Sequence, residues 1–420
     1  MRIILTRTSF HPIVQFRPRI AVLTLLLHAD LHAPEHIGIR SLLLGGGQVL
    51  WVGSERPSLD AAIPHEVIDL AGARVIPGLI DGHAHLTGGG GEAGFATRVS
   101  PVPVEVFTAA GITTVIGVLG TDTVGRDAAS LVATARALEE DGIQAYCHTG
   151  GYSVPPTTLT GSVRGDIVHI DRMIGVGEVA ISDHRSSQPT LDEILRLASD
   201  AHVAGLIAGK AGILHLHVGD GPRGLSLIRS ALDQTELPAR VFNPTHVNRR
   251  RALFDEACEL AKLGVTIDVT AFPVAAGEDA YSAEDALERY LDADLPRERI
   301  TISSDGGGCL PVHDCQGQVE SYGTAHPTSL SETLARLLGR GRSLAEVLPA
   351  FTSNVATLLR LPHVGHLAVG ATADLVVLDS DGGPESVMAR GAWHVRNRVQ
   401  LRSARIPAWT SAPPASLPQE

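Results

Sequence analysis

Residues 74–90, RVIPGLIDGHAHLTGGG, decide the fold. An apolar run this short, bounded by glycine, reads as a strand buried on both faces. Side chains alternate along a strand, so His83 and His85 at its C-terminal end point the same way. Further apolar runs follow at 113–120 (TTVIGVLG), 143–151 (IQAYCHTGG), 178–184 (EVAISDH), 212–220 (GILHLHVGD), 241–247 (VFNPTHV), 265–271 (VTIDVTA) and 299–306 (RITISSDG). Amphipathic stretches such as 191–208 and 250–264 separate several of them. Parallel strands need crossovers of that kind. Eight strand-plus-helix units predict an α/β fold, a (β/α)8 TIM barrel, over 77–363.

Outside the barrel the pattern changes. Short apolar runs broken by turns occupy 21–76 and return at 364–402. Together they predict a small β-sandwich domain formed from N- and C-terminal segments. Residues 1–20 read as an N-terminal extension without a signal-peptide core, and 403–420, rich in Pro, Ser and Ala, as a disordered tail.

Composition narrows the class. The chain has 420 residues, 44% of them hydrophobic and only 4% aromatic, so it builds a large aliphatic core. A net charge of −12 with no basic run argues against nucleic acid and anionic membrane partners. The four cysteines show no CxxC pairing, which points away from a thiolate cage or a disulfide framework. No apolar run approaches the roughly 18 residues of a membrane helix. The expectation is a cytoplasmic enzyme.

Active sites of such barrels lie at the C-terminal ends of the strands. His83, His85, His217, His246 and Asp305 all fall there. One buried histidine is usually a core residue. Four of them with an aspartate predict a divalent metal centre, for which imidazole and carboxylate suit zinc.

These residues resemble the amidohydrolase superfamily. Longer strings resemble its isoaspartyl dipeptidases: DGHAHLTGGGGEAG (81–94), GVLGTD (117–122), TGSV (160–163), AISDHRS (180–186), PTHVNR (244–249) and SSDG (303–306). The resemblance covers about residues 21–400. It implies a metal-dependent hydrolase, a dipeptidase that cleaves the isopeptide bond of β-aspartyl dipeptides. It also implies two zinc ions per chain and a homo-oligomer. In that family a carboxylated lysine bridges the metals; the matching position here is Glu178. The chain has only two lysines, Lys210 and Lys262, and neither is placed to reach the site. A bridge by Glu178 is therefore expected, with the metal ligands His83, His85, Glu178, His217, His246 and Asp305.

Further roles follow from the same resemblance. Activated water would be the nucleophile, Asp305 its proton acceptor, and Tyr152 a hydrogen-bond donor to the developing oxyanion. Glu92 would hold the substrate ammonium, while Arg185 and Arg249 hold its carboxylates and Thr121 adds a contact. Cys309 stands where the family has a substrate-binding serine. The glycine run 88–91 lacks the Gly-Lys-Ser/Thr ending of a phosphate loop. The competing reading is another amidohydrolase, such as an N-acyl-amino-acid deacylase or a cyclic amidase. A neutral ring would need no clamp of Glu92, Arg185 and Arg249.

Overall fold

The computed structural model describes residues 23–313 and 319–405. The expectations for 1–20 and for most of the 403–420 tail, together with Cys315, lie outside them.

Eight parallel strands form the barrel: β1 (Leu79–Ala84), β2 (Ile112–Gly117), β3 (Gln144–Thr149), β4 (Met173–Ile181), β5 (Leu214–Val218), β6 (Phe242–Thr245), β7 (Ile267–Thr270) and β8 (Ile300–Ser303). Strands β1 to β6 pair in sequence order as one sheet, and β7 pairs with β8. Two seams join these pieces. At the first, His85 N–H donates to the Gly306 carbonyl at 2.7 Å, and Asp305 N–H to the His83 carbonyl at 3.1 Å. This places the end of β8 against the end of β1. At the second, Pro244 in β6 supplies no N–H to a ladder. Side chains take over: Asn243 Nδ2 donates to the Thr266 carbonyl, and Thr245 Oγ1 to Asp268 Oδ2.

The helices are set by local chemistry. Residues Leu191–Ala208 form a helix whose N-cap Thr190 makes a capping box with Glu193, and Gly209 closes it in the left-handed conformation. Each such cap contributes about 1 kcal/mol. The helix buries Ile194, Leu197, Ala198 and Ala201 against the barrel, in keeping with helical spacing.

Strand β4 begins five residues before the apolar run at 178–184. Its start, MIGVG, is hidden in the sequence by two glycines. Gly177 is required there: a Cβ on it would lie 2.6 Å from the His215 carbonyl oxygen, and its φ is +155°. The consequence is that Glu178 stands inside the barrel wall, fully buried, rather than at a strand start.

The terminal segments build one continuous nine-stranded sheet. Strand Arg74–Pro77 lies between Leu23–His32 and Leu375–Leu378, so N- and C-terminal strands are neighbours. Leu26, Leu31, Leu42, Leu44, Val75, Leu375 and Met388 share a core separate from the main barrel core. A further hairpin, Cys309–His313 with Val319–Thr324, follows β8 and was not foreshadowed by any strand signal in the sequence. Among the described residues no helix is long and apolar enough to cross a membrane.

Candidate metal centre and substrate pocket

Glu178 is the hub of the barrel mouth. Its Oε2 lies 3.1 Å from His217 Nδ1, 3.6 Å from His83 Nε2 and 3.7 Å from His246 Nε2. Its Oε1 lies 3.5 Å from His85 Nε2. Asp305 Oδ1 completes the cluster, 3.1 Å from His85 Nε2 and 3.3 Å from His83 Nε2. Three overlapping trios of these residues have donor atoms close enough to share an ion.

The polar atoms themselves argue for metal. His83 Nε2, Glu178 Oε1 and Asp305 Oδ1 are buried and have no hydrogen-bond partner. Orphaned buried polar atoms are costly, and such atoms converging from separate strands fit a cation that would satisfy them together. The charges agree. Burial works against the charged form of Glu178, but the imidazoles of His83, His217 and His246 hold its carboxyl well below the usual range. Burial likewise opposes the His83 cation, yet Glu178 and Asp305 raise that imidazole to about 9. A dication would replace that proton. Burial lowers His246 to about 3, leaving it neutral and able to ligate.

Backbone geometry aims two of these groups. His246 and Asp305 both adopt left-handed φ, at 64° and 55°. Non-glycine residues in that region are strained and concentrate at functional sites. Asp81 accepts from the Ser304 amide at 3.0 Å and from its hydroxyl, tying the end of β1 to the turn that carries Asp305. Asp268 accepts from Thr245, Thr301 and Ser303, which locks β6, β7 and β8 beneath His246. Gly120 passes so close that a Cβ would meet His85 Cε1 at 2.7 Å.

Above the buried cluster lies a more exposed charged layer. Tyr152 OH is 2.8 Å from His217 Nδ1, and the Arg185 guanidinium sits over its ring. Arg185 Nη1 reaches Glu92 Oε1 at 3.4 Å, and Thr121 Oγ1 donates to the same oxygen. Arg249 stands three residues beyond His246, close enough for its charge to act on Tyr152, with Asp220 at 3.8 Å. Cys309 borders the glycine loop beside Gly90. Burial and the Glu92 charge push its thiol up. All the residues singled out from sequence therefore gather at one end of the barrel. Lys210 and Lys262 do not: Lys210 donates to the carbonyls of Ile167 and Ile170, and Lys262 to Glu259.

Three features escaped the sequence reading. Asp183 clasps Arg185 through both oxygens, at 2.8 and 3.0 Å, and its Oδ2 lies 3.0 Å from His217 Nε2. Its carboxyl is held well below the usual range by His217 and Arg185, against the effect of burial. Arg126 is 7% exposed and donates to the carbonyls of Thr87, Gly89, Gly90 and Val99, pinning the loop that carries Glu92. A loop whose carbonyls converge on a guanidinium is the opposite of a phosphate cradle, whose amides face an anion. Finally, His215 and Asn243 lie behind His83. The signal for His215 was present: it alternates with His217 exactly as His83 does with His85.

Comparison with known proteins places the fold in a family. The amidohydrolase family model matches residues 74–394. The β-aspartyl dipeptidase of Fervidobacterium islandicum AW-1, solved in complex with β-Asp-Leu, is 40% identical, with a TM-score of 0.84, over 90% of this chain and 98% of that one. An imidazolonepropionase of Salinispora arenicola is 28% identical over 82% of this chain and 87% of its own. Dihydropyrimidinase of Brevibacillus agri, at 17% identity and a TM-score of 0.62 over 91% of this chain and 97% of its own, shares the fold. From the matched barrel and the identity carried across nine-tenths of its length, this chain belongs to the amidohydrolase family, in its β-aspartyl dipeptidase branch.

Proposed function

We propose that the protein is a metal-dependent dipeptidase that hydrolyses the isopeptide bond of β-aspartyl dipeptides. The observation that carries this reading is the pairing of two layers: a buried cluster of His83, His85, Glu178, His217, His246 and Asp305, and above it an anion, Glu92, beside the cations Arg185 and Arg249. A β-aspartyl dipeptide carries one ammonium and two carboxylates, and this layer offers a partner of each sign.

Zinc ions held by His83, His85, Glu178, His217, His246 and Asp305 would supply activation of water and polarisation of the scissile carbonyl. The chain's own groups do the rest. Asp305 takes the proton of the attacking water and delivers it to the leaving amine. Tyr152 is fully protonated, because burial and then Glu178 raise its hydroxyl well above the usual value, so it donates to the developing oxyanion. Glu92 binds the ammonium, with Thr121 steadying the carboxylate. Arg185, gripped by Asp183 through Nε and Nη2, is presented in one orientation, with Nη1 toward Glu92 and the pocket, where it can donate to a carboxylate. Cys309, a weaker donor than a hydroxyl, borders the same pocket.

The test is a comparison of isomers. β-Asp-Leu and α-Asp-Leu differ by one methylene in where the scissile carbonyl lies relative to the ammonium. With both ends clamped, α-Asp-Leu is expected to react at least about a hundredfold more slowly, the usual cost of misplacing a reacting atom by about 1 Å. Equal rates on the two isomers would remove the β-aspartyl assignment; hydrolysis of an imidazolone ring in their place would move the chain to the cyclic-amide chemistry of its other relatives.

Arg249→Lys probes the clamp separately. A lysine keeps the charge but not the fork, so KM is expected to rise about tenfold with kcat within a factor of three. An unchanged KM in initial-rate measurements would take Arg249 out of the substrate site.

A further inference from the structure

Behind the metal cluster, a line of buried side chains runs from β1 through β5 and β6 to β7. His83 Nδ1 lies 2.7 Å from His215 Nε2. His215 Nδ1 lies 2.7 Å from Asn243 Oδ1. Asn243 Nδ2 donates to the Thr266 carbonyl at 2.8 Å. None of the three side chains is more than 3% exposed, so water does not interrupt the line.

The direction of every hydrogen bond follows from its far end. A backbone carbonyl only accepts, so Asn243 turns its NH2 toward Thr266 and its oxygen toward His215. That oxygen also only accepts, so His215 carries its proton on Nδ1. His215 stands between the rings of His83 and His148, at 5.0 and 5.3 Å between centroids, in a buried setting that favours the neutral ring. Its Nε2 is then a lone pair and accepts from Nδ1–H of His83. That bond keeps a proton on Nδ1 of His83, so the nitrogen that yields its proton to a cation is Nε2. It is the same atom that faces Glu178 and Asp305 with no hydrogen-bond partner.

We propose that His215 and Asn243 are positioning residues that fix the tautomer of His83, so that its Nε2 lone pair is directed into the metal cluster by the protein. The inference rests on the reading of His83 as a metal ligand. The fixed point is the backbone of the residue preceding β7, so the ligand on the first strand is set from the seam between β6 and β7. Partners of this kind typically tune metal affinity ten- to a hundredfold.

The test has two arms. In 15N-histidine spectra of the wild-type protein, His215 is expected to carry its proton on Nδ1 whether metal is present or stripped, and His83 on Nδ1 once metal is bound. In competition with a chelator, His215→Met, which has no acceptor at the Nε2 position, should lose at least tenfold in metal affinity. His215→Gln, whose side-chain oxygen accepts at that place, should recover to within about threefold of wild type. A wild-type His215 protonated on Nε2 overturns the proposal without any variant. So does a Met variant that resists chelation as well as wild type. A wild-type protein that binds no metal at all would instead sink the metal reading of the cluster, while the His215 spectrum still reports on the relay.

Discussion

Asp305→Asn is expected to lower kcat for β-Asp-Leu by three to four orders of magnitude. The substitution preserves size and one oxygen but removes the charge that accepts a proton, and a positioned acid–base group contributes about 10² to 10⁴ in rate. The structure makes substitution by a neighbour implausible. Asp305 is held in a left-handed conformation by the turn that follows β8, with its Oδ1 between the Nε2 atoms of His83 and His85. The other nearby carboxylates are engaged: Glu178 at the centre of four imidazoles, and Asp183 by Arg185 and His217. His217→Ala should be comparably inactive, with loss of metal as its cause. Metal analysis separates the two: the Asn variant keeps at least one ion, and the Ala variant loses binding. An Asp305→Asn enzyme within tenfold of wild type would show that another group carries the proton.

Glu178→Gln should lose at least one metal ion and most of the activity. The carboxylate is fully buried at the centre of the cluster, and no lysine lies near it. A neutral amide screens two neighbouring dications poorly, and their repulsion in a water-excluded site is large. The same geometry predicts that reconstitution of the wild type is indifferent to bicarbonate, since there is no amine to carboxylate. Glu178→Lys offers a converse check: if the backbone of β4 tolerates the longer side chain, part of the activity should return, and only with bicarbonate. A Gln variant with unchanged metal content and rate would make Glu178 a structural residue.

The barrel was legible because its strands are short apolar runs with chemistry at their ends. His83, His85, His217, His246 and Asp305 could be picked out by that placement alone. Glu178 could not. It sits in the middle of β4, after two glycines that break the apolar pattern, and only the resemblance to relatives drew it out. Asn243 and Arg126 were invisible for a different reason, and so was the contact of Asp183 with His217. Each of these partners is distant in sequence, and neither periodicity nor local spacing encodes it. Arg126, for instance, reads as an ordinary surface arginine before a helix, yet it holds carbonyls some forty residues upstream. His215 was legible as a residue, by its alternation with His217, but its contact with His83 was not. The small domain was half legible: strands at both ends were evident, but their fusion into one sheet depends on pairings between the two ends of the chain.

That fusion sets an order of events during synthesis. Strand Arg74–Pro77 pairs on one side with the earliest described strand and on the other with Leu375–Leu378. On the ribosome, the first strands emerge long before their last neighbour, so Val75 and Ile76 present an open, apolar edge while the whole barrel is being made. Such edges invite pairing with other chains. The closing strands act as a completion seal. A polypeptide that stops short of residue 375 can finish its barrel wall yet leave that edge uncovered, which marks the unfinished molecule as a substrate for chaperones and proteases.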